Sequence, residues 1–174
     1  PVRESIAAAL LHDLVNLPKD HPERHLASER SAEAARPHLD AAGFAADAQA
    51  RIHDAIRDHS FSRGAIPQTP LGCALQDADR LEALGAIGLF RNISTGVLLG
   101  ADYFHAADPW AEDRPLNDKT YSVDHLFVKL LKLPGTMRTA AGREEARRRA
   151  QTLITIIDAL AEELGVPLGA HPLV

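Results

Sequence analysis

The sequence predicts an all-α fold, and three observations support this prediction. Ala and Leu are abundant, whereas aromatic residues make up only 5% of the 174 residues, and that composition favours helices. Apolar residues recur at intervals of three and four in several segments, as on one face of a helix. Alternation of apolar and polar residues, as in a half-buried strand, is not found. We therefore predict one helical domain that spans residues 1–174.

The predicted helices cover residues 3–15, 24–42, 48–59, 71–84, 86–105, 121–132 and 140–164. The first carries an apolar stripe, formed by Ile6, Leu10, Leu11, Leu14 and Val15. Pro37 lies inside the second and should kink or divide it. Asp47 is expected to cap the third helix. That helix is predicted to bury Ile52 and Ile56.

Glycine and proline define the remaining helices. Gly85 follows the fourth, and glycines such as Gly96 predict a break within the fifth. Leu133-Pro-Gly ends the sixth. The last helix has a basic first half and an apolar second half, and it should end at Gly165, just before Pro167.

Composition narrows the functional classes. The formal charge of −5 argues against a nucleic-acid surface. No apolar run reaches the roughly 18 residues of a membrane span, and the first residues do not resemble a signal peptide. Cys73 is the single cysteine, so an intrachain disulfide is excluded and a reducing compartment fits. We expect a cytoplasmic protein without a membrane partner.

The doublet His12-Asp13, within an apolar helical segment, is the clearest chemical signal. An imidazole and a carboxylate are costly on an apolar helix unless something binds both groups. A divalent cation would do so, with Asp77 or Asp79 as a third ligand. These two aspartates point about 200° apart on a helix, so only one can face the ion. The alternative is that the doublet is an ordinary helix end.

Nitrogen and oxygen donors without a thiolate favour an octahedral ion over a structural zinc. We expect one divalent ion, with Mn²⁺ first and Mg²⁺, Ni²⁺, Co²⁺ or Fe²⁺ as alternatives. Such an ion lowers the pKa of bound water from about 15.7 towards 7. It also neutralises developing charge on a phosphate.

Several sequence blocks together resemble the HD-domain superfamily of metal-dependent phosphohydrolases, in its small bacterial branch. They are the doublet within 11–24, His-Ser-Phe-Ser at 59–62, Gln-Asp-Ala-Asp-Arg-Leu within 76–89, Asp-Pro-Trp at 108–110, and the segments 114–119 and 124–137. The blocks occur in the same order as in the family and span nearly the whole chain.

The resemblance implies an HD-type helical bundle with one divalent metal. It assigns His12 and Asp13 as the doublet ligands and Asp79, in preference to Asp77, as the distal carboxylate. It also implies hydrolysis of a phosphate ester or phosphoanhydride in a small phosphorylated substrate, most simply a nucleotide.

Two positions depart from the family pattern. A further metal-binding His precedes the doublet in the family, whereas none of the eleven residues before His12 is His. The N-terminal helix that carries this His in the family is therefore expected to be lacking. Either the chain is truncated before Pro1, or the site is incomplete or completed differently. Asn16 stands where some members carry an acidic proton donor, and an amide cannot transfer protons.

Other polar residues are candidates for substrate binding. Lys19, Arg24 and His25 follow the doublet and could clamp a phosphate, although solvated loop charge is the simpler interpretation. His59 could bind phosphate or transfer a proton, or merely interact with its helix dipole. Arg80 could contact an anionic substrate or form an ordinary salt bridge. Lys129 could also contact such a substrate or lie on a solvated helix face.

We therefore predict a phosphohydrolase in which an activated water attacks phosphorus. Asp13, His59 and Lys19 are the predicted catalytic residues. A nucleotide-binding HD module without turnover is the alternative, and an iron-dependent HD oxygenase is a more distant one. A homodimer is compatible with the glycines between residues 85 and 100.

Overall fold

The computed structural model describes residues 2–18 and 21–169. Within these ranges the chain forms seven α-helices and two short 3-10 helices, with one isolated bridge between Asp102 and Tyr121 and no β-strand. The all-α prediction is confirmed. No helix in the described ranges is both long enough and apolar enough to cross a bilayer.

The chain divides into two compact units, Pro1–Asp79 and Arg80–Val174. The first unit contains α1 (Val2–Leu11), a 3-10 helix (Arg24–Leu26), α2 (Ala27–Ala41), α3 (Ala46–Asp58) and most of α4 (Pro70–Leu81). Small side chains let these helices approach closely. Its buried core consists of Ala8, Ala32, Ala35, Leu39, Ile52, Ala55, Ile56 and Leu75.

The second unit contains α5 (Gly85–Leu98), α6 (Ser122–Val128), a 3-10 helix (Leu130–Thr136) and α7 (Ala140–Leu164). Long apolar residues from α6, the 3-10 helix and α7 dominate its core, among them Phe127, Leu133, Leu153 and Ile157. Gly165 ends α7 in the left-handed region with φ of 64°, as predicted for a glycine C-cap.

The first predicted helix was too long, and its apolar stripe is buried only in part, where Leu11 packs against the core of the first unit. α1 ends at Leu11, and Ile6 and Leu10 are 55% and 76% exposed. Ala8 is buried instead, together with Glu4, whose carboxylate accepts hydrogen bonds of 3.0 and 2.8 Å from Arg51 of α3. A small residue and a paired carboxylate therefore form the contact that the larger apolar residues were expected to make.

Two further expectations in this unit concern Pro37 and Asp47. Of the kink or division expected at Pro37, division is excluded, because α2 runs without interruption from Ala27 to Ala41. The carbonyl of Glu33, which loses its partner to the proline, lies on an exposed residue that water can reach. Asp47 does not cap α3, because the helix begins at Ala46, two residues earlier than predicted, after Ala45. Its carboxylate instead pairs with Arg51 one turn later, at 2.9 Å.

Two helices of the second unit are shorter than predicted. α5 ends at Leu98, and Gly100 turns the chain away with φ of 76°. α6 ends at Val128 and continues as a 3-10 helix. Pro134 explains that change, because its ring would clash with the carbonyl four residues earlier in an α-helix.

Candidate metal centre

Two histidines of the first unit lie at equivalent places, each just after the end of a helix. His12 follows α1, and its Nδ1 lies 2.7 Å from the carbonyl oxygen of Ala9. His59 follows α3, and its Nδ1 lies 2.6 Å from the carbonyl oxygen of Ile56. A carbonyl only accepts, so Nδ1 is the donor in both rings, and in the neutral imidazoles Nε2 keeps its lone pair. The neutral form of each ring is therefore the tautomer that binds a metal through Nε2.

The same contacts provide partners at the ends of the two helices. The last carbonyls of a helix lack an intrahelical N–H partner. The imidazole of His12 donates to the carbonyl of Ala9, and that of His59 donates to the carbonyl of Ile56. Each histidine side chain therefore satisfies a terminal carbonyl of the helix that it follows.

Asp79 of α4 completes a cluster with these rings. One ligand atom from each of His12, His59 and Asp79 lies within 4.8 Å of the other two. The two rings meet edge to face, with centroids 5.0 Å apart. Asp77, the alternative carboxylate, is 3% exposed and is not part of this cluster.

Asp13 lies beside both imidazoles. Its carboxylate oxygens are 3.7 Å from Nε2 of His12 and 3.7 Å from Nε2 of His59. Donors that share an ion at about 2.1 Å are about 3 to 4.2 Å apart, so this spacing suits a common ion. The Asp13 side chain is 60% exposed, and it therefore borders the open side of the cluster.

Electrostatics link His59 and Asp13. Burial lowers the pKa of His59, but Asp13, the Ile56 carbonyl and Asp79 outweigh it and raise that pKa above its ordinary value. The His59 imidazole in turn lowers the pKa of Asp13, aided by His12 and Arg24 and opposed by burial. The imidazole of His59 and the carboxylate of Asp13 thus each favour the charged form of the other.

Buried serines of α2 fix the segments that carry the histidines. Ser31, fully buried, accepts a 3.0 Å hydrogen bond from the N–H of Val15 and lies 3.3 Å from its carbonyl. Ser28 donates to the carbonyl of Arg57 at 2.8 Å. The serines are three residues apart on one face of α2, so a single helix holds the chain beside both histidines.

Three residues after the doublet were predicted to bind phosphate, and each has to be considered separately. Arg24 donates to the carbonyl of Leu17, and its charge lowers the pKa of Asp13. His25 is exposed in the 3-10 helix. Lys19 lies outside the described residues. Arg24 is thus the cation of this set whose charge acts on the cluster.

Arg80 and Lys129, the remaining predicted substrate contacts, belong to the second unit. Arg80 is 7% exposed and donates to the carbonyl of Thr136 at 2.8 Å. Lys129 follows α6 and is half-buried. This bond lies within the second unit, and it gives Arg80 a structural role there.

Sequence reasoning assigned His59 to proton transfer or phosphate binding, and the structure adds its ring to the cluster of possible metal ligands. The sequence signal for this was its position at the end of a helix, three residues after Ile56. That signal was ambiguous, because a helix-end histidine also interacts favourably with the helix dipole.

Comparisons with known proteins agree with this geometry. Residues 2–84 match the model of the HD domain family. The Bacillus subtilis protein YpgQ is 29% identical over 161 residues, which are 90% of this chain and 70% of YpgQ. The crystal structure of YpgQ in complex with ADP has a TM-score of 0.69 at 25% identity, covering 94% of this chain and 74% of that one. A crystal structure of an HD-superfamily hydrolase from Bacillus thuringiensis has a TM-score of 0.69 at 26% identity, with the same coverage of 94% and 74%.

Proposed function

The chain carries an HD domain over residues 2–84, and we propose that it is a phosphohydrolase that uses one divalent metal ion. The observation that carries the proposal is the convergence of His12, His59 and Asp79, whose ligand atoms lie within 4.8 Å of one another. Domains of this family bind divalent metals, and solved relatives include HD-superfamily hydrolases. Two imidazoles and one carboxylate suit Mn²⁺ and similar ions better than a structural zinc.

The residues have distinct roles in this proposal. His12 and His59 donate through Nε2, and Asp79 donates through a carboxylate oxygen. Asp13, 3.7 Å from both Nε2 atoms, supplies a fourth oxygen or accepts a proton at the open side. When bound, the ion lowers the pKa of a coordinated water and neutralises charge on the phosphate.

The substrate in this proposal is a small phosphorylated molecule, and a nucleotide is the first choice. The relative YpgQ was crystallised in complex with ADP. Arg24 is the cation whose charge acts on Asp13, and Lys19 and His25 are near it in sequence. We propose that these three residues bind substrate phosphate, since charge-assisted bonds to phosphate are about twice as strong as neutral ones.

Turnover of a nucleotide panel with Mn²⁺ tests the proposal. Nucleoside mono-, di- and triphosphates are incubated with the wild-type protein, with Asp79→Asn and with the control Asp47→Asn, and released phosphate and pyrophosphate are measured. We expect Asp79→Asn to lower turnover by about 100-fold or more, because an amide is a poor ligand and carries no charge. Asp47→Asn should stay within about two-fold, because Asp47 is exposed and is none of the proposed ligands.

Three outcomes separate the alternatives. Full turnover by Asp79→Asn would contradict the metal assignment. Wild-type protein that binds nucleotides but releases no product with any divalent ion would be a binding module. Two histidines and one carboxylate are also the donor set of non-haem iron oxygenases, so oxygen consumption with Fe²⁺ in place of phosphate release would identify that class.

A further inference from the structure

The amide of Gln76 is fully buried within the first unit, where a polar side chain is costly unless it is well bonded. Gln76 is 0% exposed, and its Nε2 donates to the carbonyl of Asp58 at 3.1 Å and to that of Ala65 at 3.0 Å. Both N–H bonds of the amide are used. Burying an amide without partners is unfavourable, and the two hydrogen bonds remove that penalty for its N–H groups.

The two carbonyls that Gln76 contacts flank the loop that begins with His59. Asp58 is the last residue of α3 and immediately precedes His59. Ala65 lies after the turn formed by residues 61–64. The Asp58 carbonyl lies in the last turn of α3 and lacks an intrahelical partner, so Gln76 provides one. One side chain of α4 therefore fixes both ends of the loop.

Gln76 also shares a helix face with a proposed metal ligand. It precedes Asp79 by three residues on α4, and side chains three apart lie on the same face. That face thus holds the backbone next to His59 through Gln76 and places the Asp79 carboxylate beside the His59 ring. The distance between the two ligands depends on how α4 is attached to the end of α3.

We propose that Gln76 is a positioning residue that sets the spacing between His59 and Asp79 and so tunes metal affinity. The inference rests on the proposed metal centre. Partners beyond the direct ligands typically change metal affinity by about 10–100-fold when they are removed. Gln76 would act in this way, although it touches the backbone beside a ligand and not the ligand ring.

Gln49 offers a matched control in the same unit. Its Nε2 also donates two hydrogen bonds, to Asp40 at 2.8 Å and to the carbonyl of Phe44 at 2.8 Å. It fixes the turn between α2 and α3, which carries none of the proposed ligands. Replacing either glutamine by Met removes both bonds and keeps the side-chain volume nearly constant.

The test measures Mn²⁺ dissociation constants by electron paramagnetic resonance and urea unfolding in EDTA for wild type, Gln76→Met and Gln49→Met. We expect Gln76→Met to raise the Mn²⁺ dissociation constant about 10–100-fold and to change the visible spectrum of the Co²⁺-loaded protein. Gln49→Met should leave both metal readouts within about two-fold of wild type. Stability falls in both variants, so it does not distinguish them.

Gln76→Met with wild-type Mn²⁺ affinity and an unchanged Co²⁺ spectrum would overturn the positioning role alone. Wild-type protein that binds no Mn²⁺ would overturn the metal centre and this inference together. If Gln76→Met does not fold, Gln76→Glu decides by the same two metal readouts, because it keeps the shape of the side chain and lacks its N–H donors.

Discussion

The two imidazoles of the cluster are oriented before any ligand binds. Nδ1 of His12 and Nδ1 of His59 each donate to a carbonyl three residues earlier. Such a bond fixes the tautomer and raises the basicity of the other nitrogen. The 4% exposure of the His59 side chain further restricts its ring. Folding therefore already restricts these side chains, and binding an ion requires little further loss of their conformational entropy.

His59 is the residue whose replacement best separates a metal ligand from a proton carrier. We expect His59→Gln to weaken Mn²⁺ binding at least ten-fold, because it removes one of the imidazole donors. Isothermal titration calorimetry in Mn²⁺ measures the effect. A variant with unchanged affinity and slower turnover would show instead that His59 transfers protons.

The control for this variant lies on the same helix. His53 of α3 pairs with Glu33 through Nε2 at 2.9 Å, on a surface with no proposed ligand. His53→Gln should therefore leave Mn²⁺ affinity unchanged within about two-fold. A loss as large as that of His59→Gln would indicate general damage to α3.

At the scale of elements, α2 connects the two segments that carry the imidazoles. Ser31 contacts the backbone of Val15, three residues after His12, and Ser28 contacts the carbonyl of Arg57, two residues before His59. Both serines are at most 2% exposed. Hydrogen bonds of this kind fix loop geometry that helix packing alone does not determine.

Replacing Ser31 by Ala should lower the free energy of unfolding by about 1–3 kcal/mol, because the N–H of Val15 is left without this acceptor in a partly buried place. Urea unfolding in EDTA measures the change. Ser94→Ala, on the exposed face of α5, is the comparison and should change stability by less than about 0.5 kcal/mol. Equal stability of the Ser31 and Ser94 variants would contradict a structural role for Ser31.

Local sequence patterns predicted the positions of the helices better than the contacts between them. The i, i+4 spacing of Ile52 and Ile56 correctly identified a buried face, and Gly165 correctly marked the end of α7. The spacing of apolar residues failed to identify the buried face of α1, because Ile6 and Leu10 are exposed. Packing of α1 depends on Ala8 and on the ion pair between Glu4 and Arg51. These two residues are distant from each other in sequence.

The candidate site was predictable only in part for the same reason. Helical geometry left Asp77 and Asp79 as alternatives, and the family resemblance favoured Asp79, which is the one in the cluster. The place of His59 depends on where α3 ends and on the attachment of that end to α4. No local pattern encodes those contacts, because Gln76 and Asp58 are eighteen residues apart.

At the scale of the whole molecule, carboxylates with lowered pKa values make the free energy of unfolding depend on pH. Hydrogen bonds from Arg148 and Arg149 lower the pKa of Glu145 from 4.5 to about 2, and the hydrogen bond from Arg57 lowers that of Asp58. A carboxylate whose pKa is lower in the folded state stabilises the fold above its unfolded pKa and loses that contribution as pH falls.

We therefore expect the free energy of unfolding to fall as the pH drops from about 4.5 towards 2. The contribution of Glu145 is small, because its ion pairs are open to solvent and to salt. Urea unfolding at a series of pH values, in EDTA, measures the curve. Glu145→Gln should flatten it slightly in this range, and a steeper curve in that variant would contradict the assignment.

Two surfaces bear on the homodimer that the glycines between residues 85 and 100 would allow, which stays a prediction. Ile6 and Leu10 of α1 are exposed, as are Ile87 and Phe90 of α5. Sedimentation equilibrium over a concentration series decides the oligomeric state. A single monomeric species at all concentrations would contradict the prediction.

The central claim is that one divalent ion is shared by His12, His59 and Asp79. Anomalous diffraction at the manganese absorption edge, from crystals grown with Mn²⁺, tests it most directly. The account predicts one strong peak about 2.0–2.3 Å from Nε2 of both histidines and from an Asp79 carboxylate oxygen. A peak elsewhere in the chain, or a peak that contacts only one of the three residues, would contradict it.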